Sequence, residues 1–128
     1  MLSGDFFDIQ SFTTFEVEAT QQKYTVVITL NDIHPIYLGH FPGNPVVPGV
    51  CQVQMVKELV EKAVQYPIKL TESDNIKFLS MINPEINPKL EFNILILPNP
   101  DKRLSVTASI VSGDSVFLKF KGKFEPAG

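Results

Sequence analysis

One loop of the sequence combines residue types that can move a proton beside an activated carbonyl. His40 precedes Gly49 by nine residues, and Pro42, Pro45 and Pro48 stand between them at three-residue spacing. Each proline fixes φ and restrains the residue before it, so the loop is stiff. A helical pattern begins at Gly49, where the first amides lack an intrahelical partner and lie at the positive end of the helix dipole. An imidazole can take a proton from a carbon next to a carbonyl that such an amide polarises.

The same loop has plainer interpretations. A stiff crossover between two elements needs no ligand, and a proline-rich stretch can be a recognition peptide. The peptide interpretation suits the sequence less well, because a predicted strand and a predicted helix flank the segment. His40 either acts as a base or only hydrogen-bonds the loop, and the residues alone leave both open.

The elements around the loop are predicted from periodicity. Tyr24–Leu30 alternates and is rich in β-branched residues, which predicts a strand leading into the loop. Apolar residues recur at helical spacing after Pro48-Gly49, and Tyr66-Pro67 predicts the end of this helix because proline disfavours helix before it.

The second half of the chain is predicted to be β-structure. A short strand is expected at 75–78, and longer alternating strands at 89–97, 103–112 and 115–124 form an antiparallel meander. One helix and about five strands indicate an α+β domain in which a curved antiparallel sheet wraps around one central helix. Such a short sheet leaves open edges, which favours pairing between two chains.

Bulk properties exclude several classes of function. A length of 128 residues predicts a single domain, 1–128, and a net charge of −3 without a basic run argues against nucleic acid or an anionic membrane surface as partner. No apolar stretch approaches the ~20 residues of a membrane span, and no signal peptide is expected. The single cysteine fits a reducing compartment, so we expect a cytoplasmic protein.

Two further side chains have reactive and structural interpretations. Cys51, in the first helical turn, is either a nucleophile or a small buried hydrophobe, and the second suits its position better. His34 is either a second acid–base group or a loop-capping residue, and we expect the latter. Cys51 and His34 do not have the ligand number or spacing of a metal site, so we expect no bound metal. We also expect no cofactor.

The segment Gly39–Val50 resembles the signature of the FabA/FabZ-type 3-hydroxyacyl-[acyl-carrier-protein] dehydratases. A weaker resemblance covers Asn75–Phe78 and the prolines and apolar residues that follow it, as far as Leu90. The resemblance implies a hot-dog fold, a hydro-lyase acting on an acyl-ACP or acyl-CoA thioester, and acyl-carrier protein as a partner. It also implies at least a dimer, with active sites at the interface.

The resemblance also implies roles for individual residues. His40 would take the Cα proton of the thioester and pass it toward the departing hydroxyl, and the Gly49 N–H would polarise the carbonyl, worth ~3–4 kcal/mol of barrier. The resemblance implies an acyl tunnel between helix and sheet, with Val53, Phe78 and Phe92 as its expected lining. The expected substrate-binding residues are Phe41, Pro48, Val50, Val53 and Phe78.

The second catalytic group of the family, a helix Glu or Asp from the neighbouring subunit, falls on Gln54 in this sequence. Glutamine can hydrogen-bond a hydroxyl, but it cannot deliver a proton at neutral pH, and such assistance is typically worth ~10²–10⁴ in rate. Glu58, one turn further on, is a candidate for a displaced acid. Alternatively, a related hot-dog subunit supplies the carboxylate in a heterodimer.

Three functions therefore remain open. The first is a 3-hydroxyacyl-ACP dehydratase-like protein of fatty-acid or polyketide/polyene-type synthesis, acting as a weakened enzyme or as half of a heteromeric one. The second is a non-catalytic subunit that binds acyl thioesters or serves as a scaffold. The third, a hot-dog thioesterase, ranks last because the carboxylate that would activate water is missing.

Overall fold

The fold is described here from a computed structural model, which covers residues 2–39, 43 and 45–128. In this part of the chain, one α-helix and a short 3₁₀ helix accompany six strands. The α-helix is α1 (Gly49–Val64), and Pro35–Gly39 forms the 3₁₀ turn. The strands are β1 (Phe7–Val17), β2 (Gln22–Leu30), β3 (Ile68–Phe78), β4 (Lys89–Pro98), β5 (Leu104–Ser112) and β6 (Ser115–Pro126).

All six strands belong to one antiparallel sheet in the order β1-β2-β4-β5-β6-β3. The predicted meander is confirmed as β4-β5-β6, and the alternating apolar residues of β4 and β5 all point into the core. Met55, Val56, Leu59 and Val60 of α1 join the same buried cluster. The sheet thus packs around the helix, and the predicted hot-dog fold is confirmed.

The bounds of α1 follow from its flanking residues, as predicted. Pro48 occupies the N-cap position with φ −59° and ψ 145°, and no side chain caps the helix start. Gln65 ends the helix in the left-handed conformation, and its amide donates to the carbonyl of Glu61. Pro67 then prevents another turn, since it has no N–H to donate.

Strand β3 is longer than predicted, because it begins at Ile68 and not at Asn75. Residues 69–75 are all exposed, so this stretch lacks the alternation that indicates a half-buried strand. Pairing with β6 extends the strand, with register shifts between Leu70 and Glu72 and between Ser73 and Asn75. With β1 on the far side, the sheet has six strands where about five were expected.

Within residues 2–39, 43 and 45–128, no helix has both the length and the apolar character required to span a membrane.

Candidate functional site

The start of α1 provides the geometry expected of a carbonyl-binding site. The amides of Cys51 and Gln52 both donate to the carbonyl of Pro48, at 3.0 and 3.1 Å. The amides of Gly49 and Val50 precede them in the first turn, where the helix offers no acceptor. No described residue accepts from them, so they are candidates to bind an oxygen, which is the role expected for Gly49.

Gly49 lies directly under an aromatic ring. A Cβ at this position would lie 2.8 Å from Cζ of Phe78, so a side chain fits only if the ring moves. Phe78 is the last residue of β3, and 52% of its surface is exposed. The contact brings the predicted carbonyl-binding amide and one predicted lining residue together.

The other residues predicted to line the tunnel or to bind substrate have different surroundings. Val53 is half-buried, whereas Val50 is 77% exposed and Phe92 is fully buried in the core. Pro48 is half-buried at the helix start. His40 and Phe41 lie outside the described residues.

A group of exposed apolar side chains near the start of α1 forms what we call the apolar patch. It consists of Val50, Phe78, Leu79 and Met81. Phe78 contacts Gly49, and the carbonyl of Ile82, the residue after Met81, accepts the Val47 amide just before α1. Large side chains at a loop, a strand end and a helix start are thus left uncovered together, as at protein interfaces.

Gln54 is tied to Glu58, one turn along α1. Its Nε2 donates to Oε2 of Glu58 at 2.9 Å, and no described residue donates to its Oε1. Glu58 is only 7% exposed, although it is charged. Gln54 and Glu58 therefore lie side by side on one helix face, as predicted, and a hydrogen bond joins them.

The carboxylate of Glu58 also binds the start of the chain. The Leu2 amide lies 2.9 Å from Oε1 and 2.8 Å from Oε2, and the Ser3 amide donates to Oε1 at 2.9 Å. These donors explain how a carboxylate is accommodated in a buried position. Glu58 therefore acts as an acceptor in a structural contact, which argues against its being a displaced catalytic acid.

The other acid of α1, Glu61, is engaged as well. Its Oε2 accepts the amide of Ile68 at 2.9 Å, where β3 begins after the helix. Both carboxylates of α1 thus bind backbone amides, and neither is a free acid beside the helix start.

His34 has a structural environment in the loop. Its Nδ1 accepts the amide of Ile36 at 3.1 Å, so in the neutral ring Nε2 carries the proton and donates to Oδ2 of Asp5, 3.1 Å away. The ring also packs edge-on against Phe6. These contacts fit the loop-capping role that we expected for His34.

Cys51 and two polar groups are buried beside the loop. Burial raises the pKa of the Cys51 thiol, which suits the expected role as a small hydrophobe. Burial also raises the pKa of Tyr37, with smaller contributions from Cys51 and Asp32. The Tyr37 hydroxyl and Oε1 of Gln52 have no hydrogen-bond partner within the described chain. Neither group was predicted from the sequence, although a glutamine on the apolar face of a helix is a usable signal.

Among the described residues, two of the cavities have linings that include neither Gly49 nor Gln54. A groove of about 660 Å³ crosses the outer face of the sheet from Phe15 to Asn75. A hollow of about 430 Å³ lies between α1 and the start of β1, with Ser3 and Glu58 among its walls. Among the described residues, no cluster of three or more His, Cys, Asp or Glu side chains has the geometry of a metal site.

Comparison with known proteins identifies similar dehydratases. The family model for ApeI-like proteins, described as ApeI dehydratase, matches residues 16–97. A 3-hydroxyacyl-[acyl-carrier-protein] dehydratase FabZ from Caulobacter sp. (strain K31) is 31% identical over 99 residues, which cover 74% of this chain and 53% of that protein. The FabZ of Wolbachia pipientis wMel is 32% identical over 52% of this chain and 50% of that protein. The chain thus spans about half the length of the curated relatives it matches.

Solved structures share the fold at lower sequence identity. An uncharacterised protein from Erwinia carotovora subsp. atroseptica has a TM-score of 0.66 and 20% identity, covering 93% of this chain and 94% of its own. The dehydratase heterocomplex ApeI:P from Xenorhabdus doucetiae has a TM-score of 0.60 and 17% identity, covering 88% and 93%. A putative thioesterase, yhdA from Lactococcus lactis, has a TM-score of 0.69 and 14% identity, covering 94% and 95%.

Proposed function

Because the chain belongs to the ApeI-like dehydratase family, we propose that it acts on 3-hydroxyacyl thioesters as one part of a composite dehydratase site. The similar FabZ proteins are named as 3-hydroxyacyl-[acyl-carrier-protein] dehydratases, which makes an acyl-carrier protein the favoured carrier. Coenzyme A is the alternative carrier.

The proposed reaction divides its tasks between the loop and the helix. The thioester carbonyl accepts a hydrogen bond from the Gly49 amide, which stabilises the negative charge that develops on its oxygen. His40 takes the proton from Cα, and the electron pair left behind forms the Cα–Cβ double bond as the bond from Cβ to the hydroxyl breaks. The hydroxyl leaves as water after it receives a proton. A family carboxylate would serve at this last step, where this chain has Gln54.

The engagement of both α1 carboxylates carries the proposal of a composite site. Glu58 and Glu61 bind backbone amides, and Gln54 has no proton to deliver. We therefore propose that a second hot-dog subunit with Glu or Asp at the matching helix position supplies the acid. The heterocomplex ApeI:P is a precedent for such an assembly among structures of this fold.

The surface next to Gly49 supports a partner subunit at this position. The apolar patch is exposed in the single chain. Strand β3, which ends at the patch, lies at the edge of the sheet and, among the described residues, pairs with β6 alone. An open edge beside exposed apolar side chains favours pairing with another chain.

Hydration of a 2-enoyl-ACP, the reverse reaction, tests this proposal. The chain is assayed alone and after co-purification with a second hot-dog subunit that carries the helix carboxylate. We expect the lone chain to be about 10²–10⁴-fold slower than the mixed complex, the usual value of acid–base assistance. Turnover by the lone chain at the rate of the complex would contradict the proposal.

Gln54 also supports a second candidate, a subunit that binds acyl thioesters without turning them over. The two functions differ in whether His40 of this chain is used. In the mixed complex, His40→Ala removes activity from the site containing that histidine if the chain is catalytic. An unchanged rate would favour the binding role.

A further inference from the structure

Gln54, Glu58 and the first residues of the chain form a continuous set of hydrogen bonds. We propose that Glu58 is a positioning residue that fixes the Gln54 amide with its Oε1 free to accept, so that Gln54 recognises the hydroxyl of a 3-hydroxyacyl thioester. The recognition step rests on the proposed function, whereas the positioning step does not. Position 54 thus has a defined task in binding, although it has lost the proton of the family carboxylate.

The orientation of the amide follows from the chemistry of its partner. An ionised carboxylate can only accept, so the group of Gln54 that faces Oε2 of Glu58 at 2.9 Å must be the NH₂. Rotating the amide by half a turn would bring two oxygens together. The Oε1 atom is therefore directed away from Glu58, where no described residue donates to it.

Glu58 is itself held in place from outside the helix. Two amides, those of Leu2 and Ser3, make three contacts of 2.8–2.9 Å with its oxygens. The Phe6 amide donates to the carbonyl of Leu2 at 2.8 Å, and Phe6 is fully buried. The start of the chain is thus anchored in the core and prevents the Glu58 carboxylate from turning away.

The charged neighbours of Glu58 leave this arrangement intact. Glu61 and Lys62 line the same hollow between α1 and β1. Glu61 is occupied by the Ile68 amide, and Lys62 is exposed on the helix surface. Gln54 and the two amides are therefore the groups bound directly to the Glu58 carboxylate.

The consequence for a substrate is a preference for a hydroxylated chain. The hydroxyl of a 3-hydroxyacyl thioester can donate to Oε1, while its own oxygen stays available for the proton that its departure requires. A saturated acyl thioester would leave Oε1 without that donor. One hydrogen bond of this kind corresponds to about a tenfold difference in affinity.

The positioning step is tested by NMR of the side-chain amide of Gln54 in the full chain. The resonance pair is assigned by its loss in Gln54→Ala. We expect it to move strongly in Glu58→Gln, and also in Glu58→Asp, which keeps the charge but draws the carboxylate back from Gln54. Glu61→Gln is the matched control, because this carboxylate also binds a backbone amide but does not contact Gln54. If the Gln54 amide resonance keeps its chemical shift after both changes at Glu58, the proposal is overturned.

The recognition step is tested by binding of 3-hydroxyacyl-ACP and of the saturated acyl-ACP of equal length. We expect the wild-type chain and Glu61→Gln to prefer the hydroxylated thioester about tenfold, and Glu58→Gln to lose most of this preference. If NMR shows that Glu58 fixes the Gln54 amide but the chain does not prefer the hydroxylated thioester, the recognition role is overturned. The composite dehydratase would still be judged separately, by the hydration assay.

Discussion

At the scale of single residues, the hydrogen bond between Gln54 and Glu58 determines what position 54 can do. A glutamine in this place differs from a glutamate by more than its missing proton, because it makes a neutral donor available to a buried carboxylate. An acid at position 54 would face that carboxylate directly. A glutamate at position 54 would therefore create a pair of like charges on α1.

Gln54→Glu should make stability depend on pH. The new carboxyl would lie beside that of Glu58, and two carboxyls this close raise the pKa of one member of the pair. The folded variant then keeps a proton that the unfolded chain loses above about pH 4.3. Its free energy of unfolding, relative to wild type, falls as pH rises from there through the raised pKa.

Thermal unfolding between pH 4.5 and 8.5 measures this dependence. The double variant Gln54→Glu/Glu58→Gln removes one of the two charges and should restore the wild-type profile. Parallel profiles for the single variant and wild type would show that the two carboxyls do not interact.

Cys51 should be a poorly reactive thiol. Burial raises its pKa, so less thiolate is present at a given pH, and only the thiolate attacks an alkylating agent. We expect iodoacetamide at pH 8 to modify the folded chain at least about tenfold more slowly than the chain unfolded in guanidinium. Equal rates in the two states would identify Cys51 as an accessible nucleophile.

At the scale of secondary-structure elements, the junction of α1 and β3 forms the proposed carbonyl-binding position. The first turn of the helix and the last residue of the strand meet where Phe78 covers Gly49. The absence of a side chain at position 49 lets the ring lie this close. The apolar patch continues from the same junction, so one packing contact connects the proposed site with the proposed interface.

Gly49→Ala tests this junction in a double-mutant cycle with Phe78→Ala. Alanine favours a helix over glycine by up to ~1 kcal/mol, but its methyl group meets the ring of Phe78. We expect Gly49→Ala to be stabilising only when Phe78 is also alanine, with a coupling of about 1 kcal/mol. Urea unfolding of the four proteins gives this value, and additive effects would argue against the close contact.

Much of this architecture is predictable from the chain itself. The periodic residues of α1 and its flanking Pro48 and Pro67 predict the helix bounds, and the alternation in β4 and β5 predicts the buried face of the sheet. The first part of β3 was missed because an edge strand with polar side chains has no periodic signal.

The site was predictable only in part. The spacing of Gln54 and Glu58 places them on one helix face, which the sequence analysis used. The binding of Glu58 by the Leu2 and Ser3 amides joins positions more than fifty residues apart, and backbone donors carry no sequence signature. An orienting contact of this kind becomes visible only in the folded chain.

At the scale of the whole molecule, the chain has a continuous core and, in our proposal, a site that a partner completes. One cluster of buried apolar residues surrounds α1, while the apolar patch and the edge strand β3 lie on the side of Gly49. A second hot-dog subunit placed there would cover the patch and bring its own helix beside the Gly49 amide. The core thus accounts for folding, and the exposed side accounts for the proposed assembly.

Complementation between two variants of this chain tests the composite site most directly. Wild type keeps His40 but has no acid at position 54, and His40→Ala/Gln54→Glu has the acid but no histidine. Dehydration of a 3-hydroxyacyl-ACP is measured for each protein alone and for the two co-expressed. We expect little turnover by either protein alone. The mixture should be at least about tenfold faster, because only a mixed pair joins the histidine with a carboxylate. A mixture no faster than its components would contradict the composite site.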